Sequence, residues 1–151
     1  MAQQAAITVF DGAATPVSHT LNPVDNKVLK DGTRVALWRE NIATLPSQAQ
    51  VRAELRQRTF PNGTVETRFR VVFPVMESIA GQNSAGYTAA PKVAYEDAYE
   101  QVSYAHPRST PTSRQICAQA LKNILNNVST TVTPVAAGVA RDAFVDQFMP
   151  T

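Results

Sequence analysis

Hydrophobic and polar residues alternate most regularly between Gln50 and Pro74, on either side of Pro61-Asn62-Gly63. Successive side chains of a strand point to opposite faces, so each run can be sorted by parity. In the first run Val51, Ala53 and Leu55 share one face, and Arg52, Glu54, Arg56 and Arg58 the other. In the second, Val65, Phe69, Val71 and Phe73 lie together, opposite Glu66, Arg68 and Arg70. Asn and Gly tolerate positive φ, which makes Pro61-Asn62-Gly63 the turn of a long antiparallel hairpin. One face of that hairpin is apolar and the other is rich in arginine.

The remaining chain reads by the same rules. Residues 6–10 and 16–21 are short β-type runs around Asp11-Gly12, a first hairpin. Residues 22–30 read as a loop, and Asp31-Gly32 turns the chain into a strand at 33–39. In that strand Val35 and Leu37 share one face, and Ala36 and Trp38 the other. From 76 to 91 the pattern dissolves into small polar residues and two glycines, which predicts a long loop. Alternation resumes from Lys92 to His106, with Ala94, Ala98 and Val102 on one side. Tyr95, Asp97, Tyr99, Gln101 and Ser103 form the other, and this tyrosine side would offer stacking surfaces if it continued the arginine face.

Two helices follow the strands. Thr112-Ser113-Arg114-Gln115 reads as a capping box. Ile116, Ala120, Leu121, Ile124, Leu125 and Val128 then recur at helical spacing, placing a helix over about 112–127. Thr133-Pro134 restarts a helix to about 146, proline being favoured at the first helical position. Its stripe is Val135, Val139, Ala143 and Phe144. Strands at about 6–106 followed by helices give an α+β chain, with the helices covering the apolar sheet face and the arginine face open. Two short helices cover so long a sheet poorly, so a second chain's helices are expected to complete the cover. The expected dimer joins the sheets edge to edge and removes an exposed edge strand.

Charge sharpens the picture. The hairpin's polar face carries five Arg against two Glu, a net of +3 in a chain of only +2, so the basicity is local. All five cations are arginine, although the chain also has four lysines. A planar guanidinium suits phosphate and stacks on bases, which points to nucleic acid. The plain alternative is the solvated face of a half-buried sheet.

Length and residue chemistry then exclude other classes. With 151 residues the chain makes one domain, 1–151. His19 and His106 are its only histidines, neither with a ligand-spaced partner. With no glycine-rich phosphate loop or nucleophile elbow either, an enzyme is disfavoured. No catalytic residue, metal or cofactor is expected. Cys117 is alone, which excludes an internal disulfide and a cysteine-rich metal site, and is expected to be a packed thiol. No run is long enough to span a membrane as a helix, and the amino terminus has no secretory pattern.

Several stretches carry a resemblance when taken in order. They are Val35-Ala36-Leu37-Trp38; Ser47-Gln48-Ala49 followed by Leu55-Arg56-Gln57; and Thr67 to Pro74, an alternation ended by proline. A strand bearing Tyr99 and a helix with an early Cys117 complete the set. Across most of residues 5–130 the chain resembles the coat (capsid) protein of the single-stranded RNA bacteriophages, the levivirus family. The resemblance implies an amino-terminal β-hairpin, a five-stranded antiparallel sheet and two carboxy-terminal helices in an interlocked dimer. Dimers would tile an icosahedral shell, made in the bacterial host cytoplasm and found in the virion, with the sheet facing single-stranded genomic RNA. The loop at 77–91 would switch conformation at the shell's symmetry axes.

The resemblance also implies binding of an RNA hairpin that represses replicase translation. The implied RNA-facing positions are Arg52, Glu54, Arg56, Arg68, Arg70, Tyr99 and Gln101. Glu54 and several arginines stand where better-known members carry small hydroxyl and lysine side chains, so the operator's identity does not carry over. Phosphate neutralisation survives that change. A dimeric RNA-binding regulator of the same fold that forms no shell is the alternative.

Overall fold

The computed structural model describes residues 3–77, 86 and 92–151. Its strands are β1 (Ile7–Phe10), β2 (Ser18–Val28), β3 (Arg34–Glu40), β4 (Arg52–Thr59), β5 (Val65–Met76) and β6 (Val93–Ala105). They form one six-stranded sheet in chain order, with every neighbouring pair antiparallel. The first hairpin is therefore part of the main sheet, which has six strands in all where a separate hairpin and five strands were expected.

The difference arises in β2, which runs through most of the stretch expected to be a loop. Pro23 has no N–H to give a ladder, but the register shifts between Pro23 and Asp25, and the bulge accommodates it. Past the bulge Asn26, Lys27 and Val28 pair with Ala36, Val35 and Arg34.

Turn chemistry fixes the hairpins. Gly63 has φ +80°, Asn62 Oδ1 accepts from the Thr64 N–H at 3.0 Å, and the Gly63 N–H donates to the Phe60 carbonyl at 2.9 Å. At the β2–β3 turn Gly32 has φ +81°, and Asp31 accepts from the Thr33 N–H at 3.0 Å and the Thr33 hydroxyl at 2.9 Å. Those two bonds, the backbone one first, hold the Asp31 carboxyl below its ordinary range.

The core lies on one face of the sheet. Leu21, Ala36, Trp38, Val51, Ala53 and Leu55 pack with Ala143 and Met149 of the carboxy-terminal segment. Ile7, Phe69, Val71 and Phe73 flank them. The indole N–H of Trp38 is satisfied by the Ala5 carbonyl at 2.8 Å, so its ring is buried without an orphaned donor.

Helix α1 (Pro111–Leu125) is capped two residues earlier than its sequence suggested. Thr110, not Thr112, is the cap: its hydroxyl accepts from the Ser113 N–H at 3.2 Å, and Ser113 Oγ accepts from the Thr110 N–H at 3.0 Å. Pro111 then takes the first helical position, where its missing N–H costs nothing. Arg114 ties this end to the chain terminus, donating to the Val145 carbonyl at 2.6 Å and the Ser109 carbonyl at 2.8 Å.

The second helix is much shorter than expected. Residues 134–138 are not helical, and Gly138 at φ +128° lies outside the helical region. Helix α2 (Val139–Arg141) leads straight into a π-helical turn (Asp142–Asp146) that buries Ala143, Phe144 and Val145. Nothing in α1 is buried: Ile116, Ile124 and Leu125 are mostly exposed, and so is Cys117, contrary to its expected packing. The expected 77–91 loop lies largely outside the described residues.

Candidate nucleic-acid interface

The face opposite the core is set by the ladders. Residues paired across antiparallel strands project to the same side, so the register reads off rows. Arg58, Glu66 and Tyr104 form one; Arg56, Arg68 and Val102 the next; then Glu54, Arg70 and Glu100; then Arg39, Arg52, Val72 and Ala98. Arg52, Glu54, Arg56, Arg68 and Arg70 therefore stand on one surface, as their parity predicted.

Tyr99 and Gln101 do not join them. Tyr99 pairs with Val71 and Gln101 with Phe69, which places both on the core side of the sheet. Gln101 faces a small space bounded by Gln115, Ala118 and Phe144. The expectation failed because β6 is polar on both sides, so its parity alone did not say which set continued the arginine face. Only pairing with β5 decides it. The same pairing brings Glu96, Glu100 and Tyr104 onto the open face.

Charge on this surface is mixed but ordered. Across β2 to β6 it carries seven cations (Lys27, Arg39, Arg52, Arg56, Arg58, Arg68 and Arg70) and five carboxylates (Asp25, Glu54, Glu66, Glu96 and Glu100). The cations concentrate on β4 and β5. Arg52, the register partner of Val72, lies 2.6 Å from Glu96. Arg56 pairs with Glu54, and Arg68 lies 3.4 Å from both Glu66 and Glu100. Half-exposed pairs such as these are worth little, so a phosphate can displace the carboxylate. Arg39, Arg58 and Arg70 form no ion pair among the described residues; the Arg58 guanidinium sits 5.1 Å from the centre of the Phe60 ring.

A hollow of about 230 Å³ opens between β3, β4 and β5. Leu37 and Val72 are among its apolar walls, and Arg39, Arg52, Arg70 and Glu54 supply the polar ones. Arg39 was not foreseen as a site residue, although it continues the Val35–Leu37 parity. Among the described residues no group of three or more His, Cys, Asp or Glu could hold a metal, and no helix is long and apolar enough to cross a membrane.

A curled antiparallel sheet with a basic open face and a carboxy-terminal helical cover is the architecture of a coat subunit. The Levivirus coat protein model matches residues 2–141, and the chain belongs to that family. Among solved structures it is similar to a virus-like particle of bacteriophage EMS014, at 27% identity and a TM-score of 0.70, covering 98% of this chain and 99% of that one. The Bacteriophage EMS014 coat protein matches at 26% identity and a TM-score of 0.66, with the same coverage. The virus-like particle of bacteriophage NT-214, at 21% identity and a TM-score of 0.67, shares the fold over 99% of this chain and 100% of that one. A comparison with the curated proteins finds no match. Membership in the family gives the chain a structural role in a viral capsid.

Proposed function

We propose that two copies of this chain interlock as a dimer, that dimers close into an icosahedral shell, and that the arginine face lines its interior. There it neutralises single-stranded genomic RNA, and by binding an RNA hairpin it represses replicase translation. The shell forms in the cytoplasm of the bacterial host. The observation that carries this reading is the segregation of charge. Arginine is concentrated on the sheet face that the carboxy-terminal segment leaves uncovered, while the opposite face holds the core. Two further features support the dimer: the exposed apolar side chains of α1, and β6, thirteen residues long and, among the described residues, paired on one edge only. Both are liabilities in an isolated chain and are removed by a second copy.

The test is expression of the chain alone in bacteria, followed by nuclease treatment and RNA extraction. Protected RNA co-purifying with particles supports packaging. Particles whose RNA is fully digested, or no particles at all, would count against it. Repression is read separately, from a reporter placed behind candidate genomic hairpins.

A further inference from the structure

Another hollow opens on the side of the sheet opposite the arginine face, at the rim formed by the β2–β3 and β4–β5 turns. It measures about 300 Å³ and is lined by Gly32, Arg34, Gln57, Thr59, Val65 and Gln147. Arg34 and Gln57 are register partners, so their side chains leave adjacent strands on the same face. Thr59, two residues on, shares that face by parity and pairs with Val65. Gln57 is only 8% exposed, and its side-chain nitrogen is buried with no hydrogen-bond partner among the described residues. Arg34 is exposed and forms no ion pair among them either.

A buried amide donor without a partner carries its full desolvation cost, so native folds almost always give such a group an acceptor. The guanidinium beside Gln57 sets the charge of that acceptor: a carboxylate or phosphate can take hydrogen bonds from both side chains. The pocket supplies no such group itself. None of its lining residues is acidic, and Asp31, next to Gly32, turns its carboxylate onto the Thr33 N–H and hydroxyl. We propose that this pocket is an oxyanion site, in which Arg34, Gln57 and the Thr59 hydroxyl hold a carboxylate or a phosphate group. Its volume has room for a group far larger than one water. The site shares no residue with the arginine face and stands independently of what that face binds.

The test uses the full-length protein with inorganic phosphate or acetate exchanged for chloride at constant ionic strength and neutral pH. Two readouts are followed: the side-chain amide signal of Gln57 in nitrogen-15-labelled free subunits, and the midpoint of thermal unfolding. Both anions should move the Gln57 signal and raise the midpoint. Arg34→Ala should weaken anion binding on the order of 10- to 150-fold, the range for one lost hydrogen bond to a charged group. Gln57→Leu should weaken it similarly while the chain stays folded, because an apolar group of similar size replaces a donor that has no partner within the fold. Lys92→Ala removes the same unit of charge at the opposite end of the sheet and should respond as unmodified protein.

Intact particles separate the two sources of such a group, and either result supports the site. A free oxyanion stabilises particles and free subunits alike. A carboxylate of a neighbouring copy already fills the site in the particle, so added phosphate then stabilises free subunits only. A Gln57 signal that neither anion moves would overturn the assignment and leave the pocket to water. So would Arg34→Ala and Gln57→Leu midpoints that follow phosphate as the unmodified protein's does.

Discussion

Arg68 and Arg70 are neighbours on one face of β5, yet their surroundings differ enough to separate two effects. Arg70 stands between Glu54 and Glu100 in its row with no ion pair among the described residues, whereas Arg68 lies 3.4 Å from both Glu66 and Glu100. Each cation that replaces a counterion on single-stranded RNA contributes about 0.7 to the slope of log affinity against log salt. The double change Arg68→Ala/Arg70→Ala should therefore flatten that slope by about 1.4. Between about 50 and 200 mM salt, a fourfold rise, the unmodified protein should then lose roughly sevenfold more affinity than the variant.

The single variants should share a slope change of about 0.7 but part company in stability. Arg70→Ala breaks no ion pair; Arg68→Ala leaves the mostly buried Glu66 carboxylate unmatched and should cost about 0.2–1 kcal/mol in a urea melt. Filter binding across a salt series and equilibrium unfolding measure the two quantities independently. A double variant with an unchanged salt slope and intact fold would remove β5 from the RNA contact and refute the reasoning.

Other expectations follow from single contacts. Gly63→Ala forces a side chain into φ +80° and places its Cβ 2.9 Å from Pro107 Cγ, so it should cost about 1–2 kcal/mol or more by urea melt. Ile124→Asp changes a residue that is 75% exposed in one chain, so the monomer's circular dichroism should persist. Sedimentation should then show the dimer lost, because the new charge would be buried against the second copy; normal particles would refute this role for α1. Asp31 has a folded-state carboxyl held below its ordinary 3.8, so its stabilisation is present above that pH and fades as pH falls through the lower folded value. The stability gap between the unmodified protein and Asp31→Asn should accordingly be constant near neutrality and close in acid.

The sequence was most informative where one pattern had only one solution. The β4–β5 hairpin, its Asn62-Gly63 turn and the arginine parity were all legible, because period-two alternation across a two-residue turn signal admits few registers. The cap of α1 was two residues out because Thr110-Pro111-Thr112 offers two hydroxyl caps, and only the first leaves proline at the first helical position. Pro134 suggested a helix that Gly138 prevents, and the helical stripe of 139–146 is compressed into a π-helical turn packed under the sheet. Tyr99 was misplaced for a different reason: β6 alternates alanine or valine with tyrosine, yet its alanine side carries Glu96, Glu100 and Tyr104. Non-local pairing with β5, not composition, decides which side meets the arginines.

The most direct test of the central claim is an electron-microscopic reconstruction of particles formed by the chain expressed alone in bacteria. Closed, uniform shells with the β4–β5 arginine face inward and RNA density against Arg56, Arg68 and Arg70 are expected. Shells with that face outward, or closed particles with no internal RNA density, would contradict it.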